Sequence, residues 1–237
     1  MRKPLILVPC EHGFDNDMHM SRFVLNKSYA QAVTAGGGVP LMPGDPCEAE
    51  RYAEIADGML LTGGSGVHPA LYGEVFFDDD SIKGSNPVRD EMEMKLLQCF
   101  VERKKPVMGI CRGHQLMNVF FGGKLIQNFP RQLHLEHQNG ISHLVKAEPD
   151  SIVGRLFGAE FMTNSHHRDG VTETGSDILI TAKSADGIPE AIEHRTLPCF
   201  GVQWHPERQR GDSMNPSCGP DMTLLFTYFV NLCQKGN

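Results

Sequence analysis

The chain has 237 residues, of which 40% are apolar and 22% charged, with a formal net charge of −7. That is apolar material for one large α/β domain or two small ones. The acidic balance and the lack of a long basic run argue against nucleic acid or an anionic membrane as partner, and no apolar stretch reaches membrane-spanning length.

Leu5 to Val8 reads as a first strand; the apolar run stops too early, at Pro9 and Glu11, for a signal peptide. Glu11 to Asn26 is polar and rich in Met, His and Asp, and is expected to be a loop. Ser28 to Ala35 reads as a helix ended by Gly36-Gly37-Gly38, and Val39 to Met42 as a second strand. Glu48 to Ala56 is a short helix, and Gly58 to Leu61 a strand entering Thr62-Gly63-Gly64. Ser65 to Pro87 lacks periodicity. Its Asp78-Asp79-Asp80 triplet reads as a solvated loop, since adjacent carboxylates do not match a spaced calcium loop. Asp90 to Glu102 is expected to be an amphipathic helix with Met94, Leu97, Phe100 and Val101 inward.

Pro106 to Ile110 is a short apolar run, one buried strand long. Arg112 to Phe121 follows as a helix with Leu116, Met117, Val119 and Phe120 on its apolar face. Cys111 stands at the junction in Gly109-Ile110-Cys111-Arg112-Gly113. This is the G-x-nucleophile-x-G pattern of a tight strand-to-helix turn, with glycines relieving the crowding. A helix N-terminus favours thiolate over thiol.

Downstream, His134, His137 and His143 carry no strong ligand spacing and read as scattered structural or surface histidines. Asn164-Ser165-His166-His167 has a metal-like look, but no metal site and no cofactor is expected. Ile178 to Ala182, Ala191 to Glu193 and Phe200 to Trp204 read as later strands, partly in antiparallel hairpins. Asp221 to Gln234 reads as a closing helix with Leu224, Leu225, Tyr228, Phe229 and Leu232 inward. Strands alternating with helices indicate a parallel sheet covered on both faces, with ligands beyond the carboxyl ends of its strands. One domain over residues 1–237 is the simplest organisation.

A cysteine nucleophile needs a base, and the base a third group to orient it. His205-Pro206-Glu207, just after a predicted strand, offers both. Spacing alone does not bring His205 to Cys111. The seven cysteines form no C-x-x-C pair. Reduced thiols in a cytosol-like compartment are therefore expected, with Cys10, Cys47, Cys99, Cys199, Cys218 and Cys233 as packing or surface thiols.

Together, Gly109 to Gln115 and Gly201 to Glu207 resemble the class I glutamine amidotransferase-like superfamily. Leu60 to Gly64, Tyr72-Gly73-Glu74, Arg89-Asp90 with Glu93, and Asp186-Gly187 with Glu190-Ala191-Ile192-Glu193 resemble its γ-glutamyl-γ-aminobutyrate hydrolase branch, the C26 peptidases. The resemblance implies a flavodoxin-like α/β fold: a mostly parallel central sheet, helices on both faces, and a small antiparallel extension. It implies Cys111, His205 and Glu207 as catalytic residues. Backbone N–H groups of Gly64 and Arg112 would form the oxyanion hole. Gln115, Ser165, His166 and His167 would contact substrate.

The Arg112 side chain has two readings, a substrate carboxylate or neighbouring acidic residues. His114 reads as structural. Two departures from the family pattern stand out. Gly66 occupies a place usually held by Asp, and Asn164 to His167 is one residue shorter than N-S-x-H-H.

The expected activity is hydrolysis of a small γ-glutamyl amide through a γ-glutamyl thioester, in the cytoplasm, by a protein working alone or as a homodimer. The rivals are a glutaminase that feeds ammonia to a separate synthetase, a folate polyglutamate hydrolase, and a binding protein on an inactivated scaffold.

Overall fold

The computed structural model describes residues 2–15, 17, 19–43, 48–211 and 214–235. Cys47 lies outside the described residues. In chain order the first half contains β1 (Leu5–Leu7), β2 (Glu11–Asp15), β3 (Met20–Val24), α1 (Lys27–Ala35), β4 (Val39–Leu41), α2 (Ala49–Ile55) and β5 (Gly58–Leu61). Then come α3 (Asp79–Lys83), α4 (Pro87–Glu102), β6 (Val107–Ile110), α5 (Arg112–Phe120), β7 (Lys124–Ile126) and α6 (Phe129–Leu133). The second half adds β8 (Ile141–Ala147), α7 (Ile152–Phe157), β9 (Glu160–Ser165), β10 (Gly170–Glu173), β11 (Ile178–Ser184), β12 (Pro189–His194), β13 (Cys199–Val202) and α8 (Thr223–Lys235).

Nine strands form one sheet in the order β4-β1-β5-β6-β13-β12-β11-β8-β9. The pairings from β4 to β13 are parallel; those from β13 to β9 are antiparallel. The parallel strands are apolar on both faces because both faces are covered. Ile6, Leu60, Met108, Ile110, Phe200 and Val202 pack with α1 and α8 in one cluster. Their neighbours Leu7, Met59, Leu61, Val107 and Cys199 point the other way, onto α2 and α4. The period-2 alternation thus feeds two cores from the same strands.

Several expectations are corrected. Glu11 to Asn26 is not a loop but the β2–β3 hairpin, paired from Glu11–Val24 to Asp15–Met20. All of β3 is exposed, so no buried face imprints a period on its sequence. On α4 the inward face carries charge: Arg89, Asp90 and Glu93 are buried beside Leu97 and Phe100, whereas Met94 and Val101 are half-buried. On α8, Leu224 is exposed, and Phe226 joins Leu225 and Phe229 in the core. The strands β8, β9 and β10 had no clear signal. Among the described residues no helix is long and apolar enough to cross a membrane.

Candidate active site

β6 ends at Ile110 and α5 begins at Arg112, so Cys111 alone makes the turn. Its backbone sits at φ 52° and ψ −106°, a conformation costing a non-glycine residue about 1–3 kcal/mol. Neighbouring backbone holds it there: Cys111 N–H donates to the Val202 carbonyl at 2.8 Å, and the Cys111 carbonyl accepts from Gln115 N–H at 3.1 Å. The flanking glycines are sterically required. A Cβ on Gly109 would lie 2.6 Å from the Gly113 carbonyl carbon, and one on Gly113 2.4 Å from the Leu61 carbonyl oxygen. The helix therefore presses directly onto β5 and β6, and the Cys111 side chain reaches the cleft. Burial pushes the thiols of Cys199 and Cys233 up to about 12, the state of inert core cysteines.

His205 arrives from the loop after β13. Asn164 brackets its backbone, accepting from His205 N–H at 2.9 Å and donating to its carbonyl at 3.0 Å. Its Nδ1 lies 2.7 Å from Oε1 of the buried Glu207. The Cys111 side chain hydrogen-bonds the same imidazole. Burial alone would lower the His205 pKa, but the Glu207 and Cys111 charges outweigh it and raise the imidazole to about 10. Sequence reasoning missed Tyr29 on α1. Its hydroxyl accepts from Gly63 N–H at 3.1 Å and lies 3.4 Å from His205 Nδ1.

The Thr62-Gly63-Gly64 loop is held by Arg89. The guanidinium donates to the carbonyls of Gly63 and Thr62, each at 3.2 Å, and to Thr62 Oγ1 at 2.9 Å. Its Nε donates to Glu93 at 2.8 Å. Glu93 also receives Arg112, which in turn pairs with Asp90. Burial would raise the Glu93 pKa, but Arg112 and Arg89 outweigh it and hold the carboxylate below its usual range. Two arginines and two carboxylates are thus locked under the site. Of its two readings, the Arg112 side chain takes the acidic one, pairing with Glu93 and Asp90.

A cleft of about 600 Å³ opens here, and Gly64, Cys111, Arg112, Gln115, Gln138, His166, His167, Arg168 and Asp169 are among the residues that line it. Gln115 Nε2 donates to the Asp169 carbonyl at 2.7 Å and to Gln203 Oε1 at 3.1 Å. His166 stands edge-on to His205 with ring centroids 5.5 Å apart. Burial and the nearby Arg208 and His205 charges push its pKa down to about 4, so it is neutral at pH 7. Ser165 does not line the cleft. It is fully buried, and its hydroxyl donates to the His137 carbonyl at 2.8 Å. The departure at Gly66 has a structural counterpart: a Cβ there would lie 3.1 Å from Oδ2 of Asp169. The Asp169 carboxylate thus crowds the position where a residue-66 side chain would begin.

The histidines after Leu125 are not scattered. His137 and His143 converge with His167 on the buried Glu190, at 3.5, 3.7 and 3.5 Å from its Oε1, respectively. Only His134 is exposed and apart. No sequence spacing announces this grouping, because it assembles two loops and two strands. His114 is fully buried with neither ring nitrogen hydrogen-bonded, and burial lowers its pKa to about 4.

The family described as Peptidase C26 matches residues 4–207. A fission yeast (Schizosaccharomyces pombe) protein named "putative glutamine amidotransferase" is 33% identical, covering 92% of this chain and 83% of its own. The γ-glutamyl-γ-aminobutyrate hydrolase of Escherichia coli K12 is 31% identical, covering 89% and 86%. The solved structure of a "putative GMP synthase" component from Thermoplasma acidophilum superposes with a TM-score of 0.67 at 17% identity, covering 99% of this chain and 96% of that one. That likeness shows the class I glutamine amidotransferase fold. With the elbow, the cleft and these relatives together, the chain belongs to the peptidase C26 family.

Proposed function

We propose that the protein is a cysteine-dependent hydrolase of small γ-glutamyl amides. The observation that carries this reading is His205, held by Glu207 at 2.7 Å and hydrogen-bonded to Cys111, which lines the cleft. The imidazolium supplies the counter-charge for a thiolate. The sulfur attacks the γ-carbonyl carbon, and the oxyanion forms against the N–H groups of Gly64 and Arg112. His205 gives its proton to the leaving amine as the C–N bond breaks, leaving a γ-glutamyl thioester. Neutral His205 then takes a proton from water, whose oxygen attacks the thioester; glutamate leaves and the thiolate returns.

The cleft favours such a substrate. Its volume falls within the ~300–1,000 Å³ of ordinary small-molecule sites, leaving room for an amine beyond glutamine's ammonia. Arg168 and Asp169, 3.9 Å apart as an ion pair, both line the cleft and offer polar groups to the α-carboxylate and α-ammonium of a glutamyl group. The second reading, a glutaminase that passes ammonia to a synthetase, draws on the relatives named as amidotransferases.

The test is to offer the lone protein a panel of γ-glutamyl amides, glutamine included, and follow glutamate release. Turnover of substituted amides, abolished by Cys111→Ala, supports the hydrolase. Turnover of glutamine alone, and only with a synthetase added, supports the second reading. Wild-type rates in Cys111→Ala would reject both.

A further inference from the structure

His137, His167 and Glu190 are buried together with one ligand-type atom of each within 4.8 Å of the others, close enough to share a metal ion. His137 Nδ1 lies 3.2 Å from His167 Nε2, and each lies 3.5 Å from Glu190 Oε1. The triangle is nearly equilateral. Ligands about 2.0–2.1 Å from a tetrahedral zinc ion are separated by about 3.3–3.4 Å.

The outer nitrogens of both rings are already engaged. His167 Nδ1 faces the Asp169 carbonyl at 3.0 Å; a carbonyl only accepts, so this nitrogen carries a proton. His137 Nε2 faces the Asp186 carboxylate at 3.0 Å, and Ser184 in turn donates to that carboxylate. A second partner of this kind orients a metal-ligating histidine and fixes its tautomer. The inner nitrogens face each other and the Glu190 carboxylate, and His137 Nδ1 also faces the Ser165 hydroxyl at 3.3 Å. A proton on one of them can bond only one neighbour at a time; a divalent cation bonds all of them.

Two further observations concern the side chains around this group. Glu190 is fully buried, and neither of its oxygens has a hydrogen-bond partner. His143, with both ring nitrogens unpartnered, presents Nε2 3.7 Å from Glu190 Oε1 and packs its ring 4.8 Å from that of His137. Phe129 closes the group from another side, 5.2 Å from the His137 ring and 5.3 Å from that of His167.

We propose that His137, His167 and Glu190 bind a zinc-type divalent cation. Two imidazoles and a carboxylate suit zinc and its first-row neighbours rather than calcium or magnesium. The ion ties the loop before β8, the β9–β10 connection and β12 into one unit. That unit presents Gln138, His166 and Asp169 to the cleft, so the ion stiffens this part of its lining. The inference stands independently of the reaction assigned to Cys111.

The test uses the full chain carrying Cys111→Ala, so that the Cys111–His205 pair cannot hold the metal. After exposure to zinc and dialysis, elemental analysis is expected to find about one zinc per chain. Saturating zinc, at about 100-fold its Kd, is expected to raise Tm by about 5–10 °C for a chain of this size. Cobalt loading is expected to give the visible bands of a four-coordinate nitrogen and oxygen site, without thiolate charge transfer. Adding Glu190→Gln or His167→Ala, with folding checked by circular dichroism, is expected to cut the metal at least tenfold. Absence of stoichiometric metal in the parent, a thiolate-type cobalt spectrum, or unchanged binding in folded Glu190→Gln and His167→Ala would each overturn the proposal. If the variants fail to fold, the parent's stoichiometry and cobalt spectrum decide it.

Discussion

Arg89 occupies the space that a side chain on Gly64 would need: a Cβ there would lie 2.2 Å from its Nη1. Gly64 also sits at φ 145°, in the range that glycine tolerates and other residues rarely adopt. The loop is thus shaped by a guanidinium fixed from below. Gly64→Ala is expected to displace it and to lower kcat by about 10²–10³-fold, the cost of losing one oxyanion donor. Steady-state kinetics with a γ-glutamyl amide checks this; a fall confined to KM would remove the Gly64 N–H from the oxyanion site.

Arg89 and Arg112 share Glu93 in a fully buried setting. Arg89→Met leaves that carboxylate with one cation and strips two loop carbonyls of their donor. Breaking a buried pair from one side costs about 3–5 kcal/mol. Chemical denaturation is expected to show a loss of that size. A change below about 1 kcal/mol would mean that the network does not hold the loop.

The His205 imidazole is raised to about 10, by Glu207 and Cys111 against burial. For a raised base, the stabilising contribution is complete below the unfolded value near 6.5 and is lost as pH rises through 10. The alkaline limb of kcat/KM is expected near the same upper value. Glu207→Gln removes the larger raising influence, so the limb moves toward neutrality, and kcat falls by about 10²–10⁴-fold through lost orientation. An alkaline limb that stays in place in Glu207→Gln would show that this carboxylate does not set the imidazole's charge.

Tyr29 joins Gly63 N–H to the His205 ring through one hydroxyl. Tyr29→Phe leaves that buried N–H unpaired, which costs about 1–3 kcal/mol. Part of this is expected to reach the reaction, as a roughly tenfold fall in kcat with KM little changed. An effect on Tm alone would assign Tyr29 to packing.

Asp169 lies across from Gly66, and burial raises its carboxyl pKa. If it meets a cationic group of the substrate, Asp169→Asn is expected to raise KM for the native amide about tenfold. An analogue lacking the α-amino group is expected to be turned over equally by both forms. Equal KM changes on the two substrates would discard the charge contact.

The elbow was legible because its physics is local. Gly109, Cys111 and Gly113 lie within five residues, and a strand run followed by a helix face says where the turn must fall. The parallel strands were legible for a related reason, since burial on both faces leaves them apolar throughout. Other features were present in the sequence but mute. Arg89, Asp90 and Glu93 were visible as a motif, yet an amphipathic reading of α4 turned its charged face outward. Only the partner Arg112, arriving from α5, explains why three charges are buried there. The exposed strand β3 left no period to read.

Residue types and a family resemblance therefore pointed to Cys111, His205 and Glu207 as candidate nucleophile, base and orienting carboxylate, on an α/β framework. Long-range packing decided the rest: that His205 reaches Cys111, that Ser165 faces away from the cleft, that Asp169 stands opposite Gly66, and that three histidines surround Glu190. Those side chains are separated by tens of residues along the chain. Their meeting depends on sheet order, loop path and the exclusion of water, none of which is encoded in any short window.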